Sequence, residues 1–130
     1  MLNVLIADAH PVARSGLHML VERLVAHRGD ECVFSFSADA VTACRKAKRL
    51  QPDLILLSAE LPLSSGLQAV QALREYTPRA KLVVFGDEQG ALGADLYLEA
   101  GADGLLDKRQ STAELEAALG EVLDAPPRAS

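Results

Sequence analysis

The sequence has no tryptophan, and its three phenylalanines and two tyrosines leave it only 4% aromatic. Stacking on bases or sugar rings needs such side chains in number, so that class of ligand is disfavoured. Basic charge is also in deficit: 13 Lys and Arg face 18 Asp and Glu, a net charge of −5. A domain of that sign is a poor binder of nucleic acid or of an anionic membrane surface. Cysteine is scarce. Cys32 and Cys44 stand twelve positions apart, which is neither a C-x-x-C pair nor a zinc spacing, and they read as reduced, buried thiols. No apolar run approaches the roughly 18 residues of a membrane span. The N-terminal stretch MLNVLIADAHP carries no basic leader before its apolar residues. The expectation is a cytoplasmic protein with no membrane partner.

What is present is a globular balance, 49% hydrophobic and 24% charged over 130 residues, enough for one domain with one core. Short apolar runs alternate with helical periodicity. Leu2 to Ala7 is continuous enough for a strand buried on both faces. Pro11 suits an early helical position, and Ala13, Leu17, Leu20, Val21 and Leu24 then form one apolar stripe that Gly29 ends. Cys32 to Phe36 is a second, weaker strand. Ser37 is expected to cap the next helix, with Ala40, Ala43 or Cys44, Ala47 and Leu50 inward and the basic run Arg45, Lys46, Lys48 and Arg49 outward. Asp53 to Ser58 is dense enough for a central strand.

A helix with Leu67, Val70 and Leu73 inward follows, stopping before Pro78. Lys81 to Phe85 is the fourth strand. The helix around Leu92 to Ala100 is weak, because Gly90 and Gly93 each cost roughly 1 kcal/mol of propensity, and a loose segment is expected there. Gly104 to Leu106 is a short fifth strand. Ser111-Thr112-Ala113-Glu114 is a capping box that opens a last helix with Leu115, Ala118, Leu119, Val122 and Leu123 on one face. The domain is expected over 1–124, with 125–130 a tail or the start of a linker.

Five strands each followed by a helix predict right-handed crossovers and a parallel sheet covered on both faces. The fold class expected is α/β, the flavodoxin-like doubly wound arrangement with strand order 2-1-3-4-5. In such a sheet the crevice lies at the carboxyl ends of the strands. That places Asp8, Ala9 and His10, then Ser58, Ala59 and Glu60, then Gly86 and Asp87, then Asp107 and Lys108 around one site.

Three segments carry a resemblance: VLIADAHPVARSGLHMLVE, PDLILLSAELPLSSGLQAVQALRE and LEAGADGLLDK. Together they resemble the receiver domain of response regulators, a CheY-like fold, of the kind found at the N-terminus of LuxR-type helix-turn-helix regulators. The resemblance implies phosphoryl transfer to an aspartate after the third strand. In the family, two adjacent carboxylates after the first strand join that aspartate in holding Mg²⁺, a hard cation that takes oxygen ligands. A hydroxyl after the fourth strand and a lysine after the fifth bind phosphoryl oxygens.

At these places the sequence departs from the pattern. Asp8 is kept, but Ala9 replaces the second acid and Ser58 the acceptor; Gly86 replaces the hydroxyl, Leu105 stands where the family carries an aromatic, and Lys108 is kept. Asp8 is then a remnant ligand only, Mg²⁺ binding is expected to be weak or absent, and no cofactor is implied. The expectation is a degenerate receiver that works without aspartyl phosphorylation, through a protein partner or by forming a homodimer.

Tyr97, Leu98 and Leu105 are the interface candidates. A C-terminal DNA-binding output domain would lie outside these residues, so no direct nucleic-acid contact is expected from this domain. A second reading is a small-molecule sensor that uses the emptied pocket, with Lys108 as anchor. An enzyme is disfavoured: Ser58 and Lys108 resemble a Ser–Lys pair, but Ser58 lacks a glycine-rich nucleophile elbow. A kinase cleft reaches poorly into such a crevice, which disfavours Ser58 as a phosphorylation target.

Overall fold

A computed structural model describes residues 1–86 and 91–126. The elements are β1 (Leu2–Ala7), α1 (Pro11–His27), β2 (Cys32–Ser37), α2 (Ala40–Leu50), β3 (Leu54–Ser58), α3 (Gly66–Tyr76), β4 (Lys81–Gly86), α4 (Ala91–Ala100), β5 (Gly104–Asp107) and α5 (Thr112–Asp124). All strand pairs are parallel, in the order β2-β1-β3-β4-β5. The expected architecture is the one found. Asp87, Gly90 and the tail from 127 lie outside the described residues, while the stretch from Leu92 to Ala100, expected to be a weak and loose helix, is helical as part of α4.

The core is two layers divided by the sheet. Alternate residues of each strand point to opposite faces. Leu5, Ile55, Leu57, Leu82 and Val84 pack against α2 and α3, while Val4, Ile6, Leu54, Leu56, Val83 and Phe85 pack against α1 and α5. All five residues of β3 are buried, so each of its leucines contributes roughly 1.5–3 kcal/mol of burial. That is why this run, with no polar residue before Ser58, reads as the middle of a sheet. The inward residues of α2 are Ala40, Ala43 and Ala47; small side chains let this helix lie close to the strands.

Two local expectations are corrected. Ser37 does not cap α2. It ends β2, and its buried Oγ has no partner among the described residues. Asp39 is the cap, its carboxylate accepting from the Thr42 backbone N–H at 2.7 Å, because β2 runs one residue further than its apolar run. The third strand begins at Leu54, not Asp53, whose carboxylate instead accepts from the Asn3 N–H at 2.8 Å. Both cysteines are free and partly buried, and desolvation pushes each thiol above its ordinary range, which leaves little reactive thiolate.

Two long cations staple the side of the sheet remote from the crevice. Arg74 donates to the carbonyls of Gly101, Thr77, Pro78 and Ala80 and to the Asp103 carboxylate. It thereby joins the α3–β4 and α4–β5 turns; Gly101 makes its turn at φ 123°, a conformation open to glycine. Lys81 donates to the carbonyls of Val122, Ala125 and Pro126 and so closes the C-terminus of α5.

Candidate functional site

The carboxyl ends of β1, β3 and β5 bring three side chains together. Asp8 follows β1 and is wholly buried. Its Oδ1 accepts from the His10 backbone N–H at 2.9 Å, a local turn that sets the start of α1 just before Pro11. Its Oδ2 accepts from Lys108 Nζ at 3.4 Å. Lys108 follows β5, and its side chain is 25% exposed. The same ammonium donates to Ser58 Oγ at 3.3 Å, and Ser58 Oγ also accepts from the Glu60 N–H at 3.3 Å. Lysine thus bridges the one buried carboxylate and the hydroxyl after β3.

The other expected residues are placed less uniformly. Gly86 ends β4 buried, and its carbonyl accepts from the Lys108 N–H at 3.0 Å. Ala9 is partly buried and offers no side-chain oxygen. Leu105 does not enter the pocket: it packs on the α2–α3 side of the sheet, while Leu106 faces α1 and α5. Of the interface candidates, Leu98 is exposed at 48%. Tyr97 is turned inward instead. It packs against the core cluster, and its hydroxyl lies so near Gly66 that a Cβ there would stand 2.2 Å away. Burial raises the Tyr97 hydroxyl above its ordinary pKa.

One participant was missed. Arg14 donates from Nη1 to the Asp8 carbonyl at 2.7 Å, so a second cation stands at the pocket. Its signal in the sequence was position: the first turn of a helix that begins beside Asp8. Asp107 is occupied outside the pocket, accepting from the Arg109 side chain and backbone, which hold its carboxyl at about 2.

This sheet order, with Asp8, Ser58 and Lys108 gathered at the ends of β1, β3 and β5, coincides with a match of residues 4–120 to the family model of the response regulator receiver domain. The chain belongs to the response regulator receiver family. It is 31% identical over 126 residues to the nitrate/nitrite response regulator protein NarL of Escherichia coli (strain K12), a match covering 93% of this chain and 56% of that protein. The chain therefore spans little more than half the length of such relatives. Among solved structures, this receiver superposes with a TM-score of 0.82 on a LuxR-family two-component response regulator from Aurantimonas sp. SI85-9A1, at 29% identity, covering 95% of this chain and 85% of that one. With the signal receiver domain of the putative response regulator NarL from Mycobacterium tuberculosis the TM-score is 0.73 at 26% identity, covering 95% and 98%. Among the described residues of this receiver, no helix is long and apolar enough to cross a membrane.

Proposed function

We propose that this receiver acts in signal transduction as a protein-interaction module that does not use aspartyl phosphorylation. The observation that carries the reading is the lysine bridge: Lys108 spans Asp8 and a serine, where phosphoryl transfer needs a carboxylate acceptor. An alcohol does not form an acyl phosphate. Magnesium, which the family pattern implies, does not fit the residues present. It gives up its waters only to several anionic oxygens, whereas Ala9 has none, Ser58 is neutral, and Asp8 already has one oxygen on the His10 N–H and the other on Lys108. The surroundings of Ser58 also argue against an enzyme, since its Oγ is engaged by both Lys108 Nζ and the Glu60 N–H and no glycine-rich nucleophile elbow presents it.

With no phosphate to receive, this domain transmits through its surface. Leu96 and Leu98 of α4 are 50% and 48% exposed, and they offer apolar area to a protein partner or a second copy. Control of transcription would pass through a DNA-binding output domain like those of full-length LuxR-type regulators, with no nucleic-acid contact by the receiver.

The reading is tested by incubating the 130-residue chain with acetyl phosphate and Mg²⁺ and measuring its intact mass, beside an NMR titration with beryllofluoride. The expected result is no adduct and no saturable shifts at Asp8, Ser58 or Lys108. A phosphate released by hydroxylamine would overturn it. The double variant Ala9→Asp, Ser58→Asp is expected to gain saturable Mg²⁺ binding, because it restores the missing oxygens.

A further inference from the structure

The basic run of α2 plays no part in the pocket at the strand ends. Ala40–Leu50 holds Arg45, Lys46, Lys48 and Arg49 and no acid, in a chain of net charge −5. Lys46 is engaged within the fold, donating to the Phe36 carbonyl. Arg45 and Lys48 are exposed. Among the described residues, neither stands within 4.0 Å of a carboxylate oxygen. Arg45 acts on the Asp39 carboxyl from further away, but that carboxylate is already held by the Thr42 N–H and hydroxyl at the start of α2. Lys48 lies over the Tyr76 ring, 5.6 Å from its centre. A ring attracts a cation without cancelling its charge.

These two cations edge a groove of about 390 Å³ between α2 and α3. Its deeper residues are Ala40, Cys44, Ala69 and Ala72, and their small side chains keep it open. Val41, Leu63 and Tyr76 line it too, each with much of its apolar surface in water. Among the described residues, no carboxylate lines it. Leu63 reaches its place on a left-handed backbone, φ 72°, a conformation unfavourable to any residue but glycine. A leucine held there and exposed adds little to the core.

Shape and charge together select the occupant. The lining runs from Ala40 to Lys48 on α2 and from Gln68 to Tyr76 on α3, about 12 Å on each at 1.5 Å per residue. That is room for two turns of a docked helix, whose apolar stripe would meet the small residues. Carboxylates beside that stripe would meet Arg45 and Lys48. Nucleic acid suits the place poorly: the groove is apolar, Tyr76 is its one ring, and the chain as a whole is acidic. A second copy suits it little better. Of the acids on α5, Glu116 and Asp124 are already paired with Arg23 and Arg28, and Glu114 closes its own capping box.

We infer that the α2–α3 groove docks an acidic amphipathic helix of a partner protein, its apolar side chains on Cys44, Ala69 and Ala72 and its carboxylates at Arg45 and Lys48. This surface is separate from the α4 leucines and from the lysine bridge, so it fails separately from the reading proposed above: phosphodonor labelling tests the one, peptide binding the other.

The probe is an acetylated, amidated peptide made of two copies of the heptad Glu-Leu-Glu-Glu-Leu-Leu-Glu, titrated into the 130-residue chain and followed by ¹H–¹⁵N NMR. Its counterpart carries lysine in place of every glutamate. Saturable shifts are expected at Val41, Cys44, Arg45, Lys48, Ala69 and Ala72, weakening as salt is raised, with the lysine peptide at least tenfold weaker. Arg45→Gln with Lys48→Gln is expected to keep the parent Tm within a few degrees and to lose at least tenfold in affinity. Ala72→Lys adds a positive charge but obstructs the groove. Docking in the groove predicts weaker binding by this variant, whereas attraction to surface charge alone predicts tighter. The inference is overturned if the acidic peptide does not saturate at millimolar concentration, if its shifts lie elsewhere, if the lysine peptide binds as tightly, or if Ala72→Lys binds more tightly. It is overturned equally if double-stranded DNA gives the same shifts, or if the chain alone self-associates through these residues in sedimentation.

Discussion

Removing either partner of the Asp8–Lys108 pair should destabilise the domain, and by unequal amounts. The carboxylate is fully buried, whereas the lysine side chain is 25% exposed. Lys108→Met strands a buried anion whose remaining partner is the His10 N–H. Breaking a buried pair in this way costs about 3–5 kcal/mol, and water access at the lysine end argues for the lower figure, about 3 kcal/mol. Asp8→Asn keeps the volume and the bond to His10 and leaves behind a cation that water can reach, so about 1 kcal/mol is expected. The double variant carries neither charge. It should be more stable than Lys108→Met alone, with a coupling of about 2 kcal/mol. Urea denaturation at pH 7 measures all three, with midpoints compared at unchanged slope. The reasoning is refuted if Asp8→Asn stabilises the protein, as relief of crowded carboxylates would. It is refuted equally if Lys108→Met stays within about 0.5 kcal/mol of the parent, the span of an ordinary surface change.

Four other perturbations are read from local geometry. Gly66→Ala places a methyl 2.2 Å from the Tyr97 hydroxyl and 2.8 Å from the Ala59 carbonyl; about 2 kcal/mol of overpacking is expected, partly recovered by adding Tyr97→Phe, in thermal or urea unfolding. Leu63 is 71% exposed at φ 72°, so Leu63→Gly should stabilise by about 1 kcal/mol by relieving a left-handed backbone. Arg74→Ala removes donors to four carbonyls and to Asp103 and should cost about 3 kcal/mol, with Arg74→Lys recovering less than half, since an ammonium lacks the planar fork. Asp107 should titrate at about 2 by carboxyl ¹³C NMR, held down chiefly by its side-chain bond to Arg109, and Arg109→Ala should return it toward the ordinary carboxylate range. Because this pKa is depressed in the folded state, its stabilisation is complete above about pH 4 and fades as pH falls toward 2; Asp30, Asp39 and Asp124 are lowered too and add to the same acid limb.

The fold was legible because burial leaves a simple trace in a doubly wound sheet: Leu54 to Leu57 face cores on both sides, so that no polar residue interrupts them. The capping box at Ser111 was equally readable, since both of its partners lie within four residues. A second box at Ser65 and Gln68 carried the same signature and went unread. Ser37 and Asp39 are both good caps two residues apart, and only the length of β2 decides between them. Leu105 was grouped with the pocket, although alternation along β5 sends it to the opposite face from Leu106. With the other carboxylates of the pattern replaced, Asp8 is the partner that the residues themselves name for Lys108, and the pair forms across a hundred positions; the Arg14 contact, by contrast, exists only once the first helix has docked.

The grip of Lys81 on the end of α5 has a mechanical meaning. The first residue of β4, hydrogen-bonded into the sheet beside β3, holds three carbonyls where the chain leaves the last helix. A tug on the backbone beyond Pro126 is therefore resisted by the sheet and not by a fraying helical turn, and the heading of the chain at that point is set by the same strands that carry the pocket at their other end.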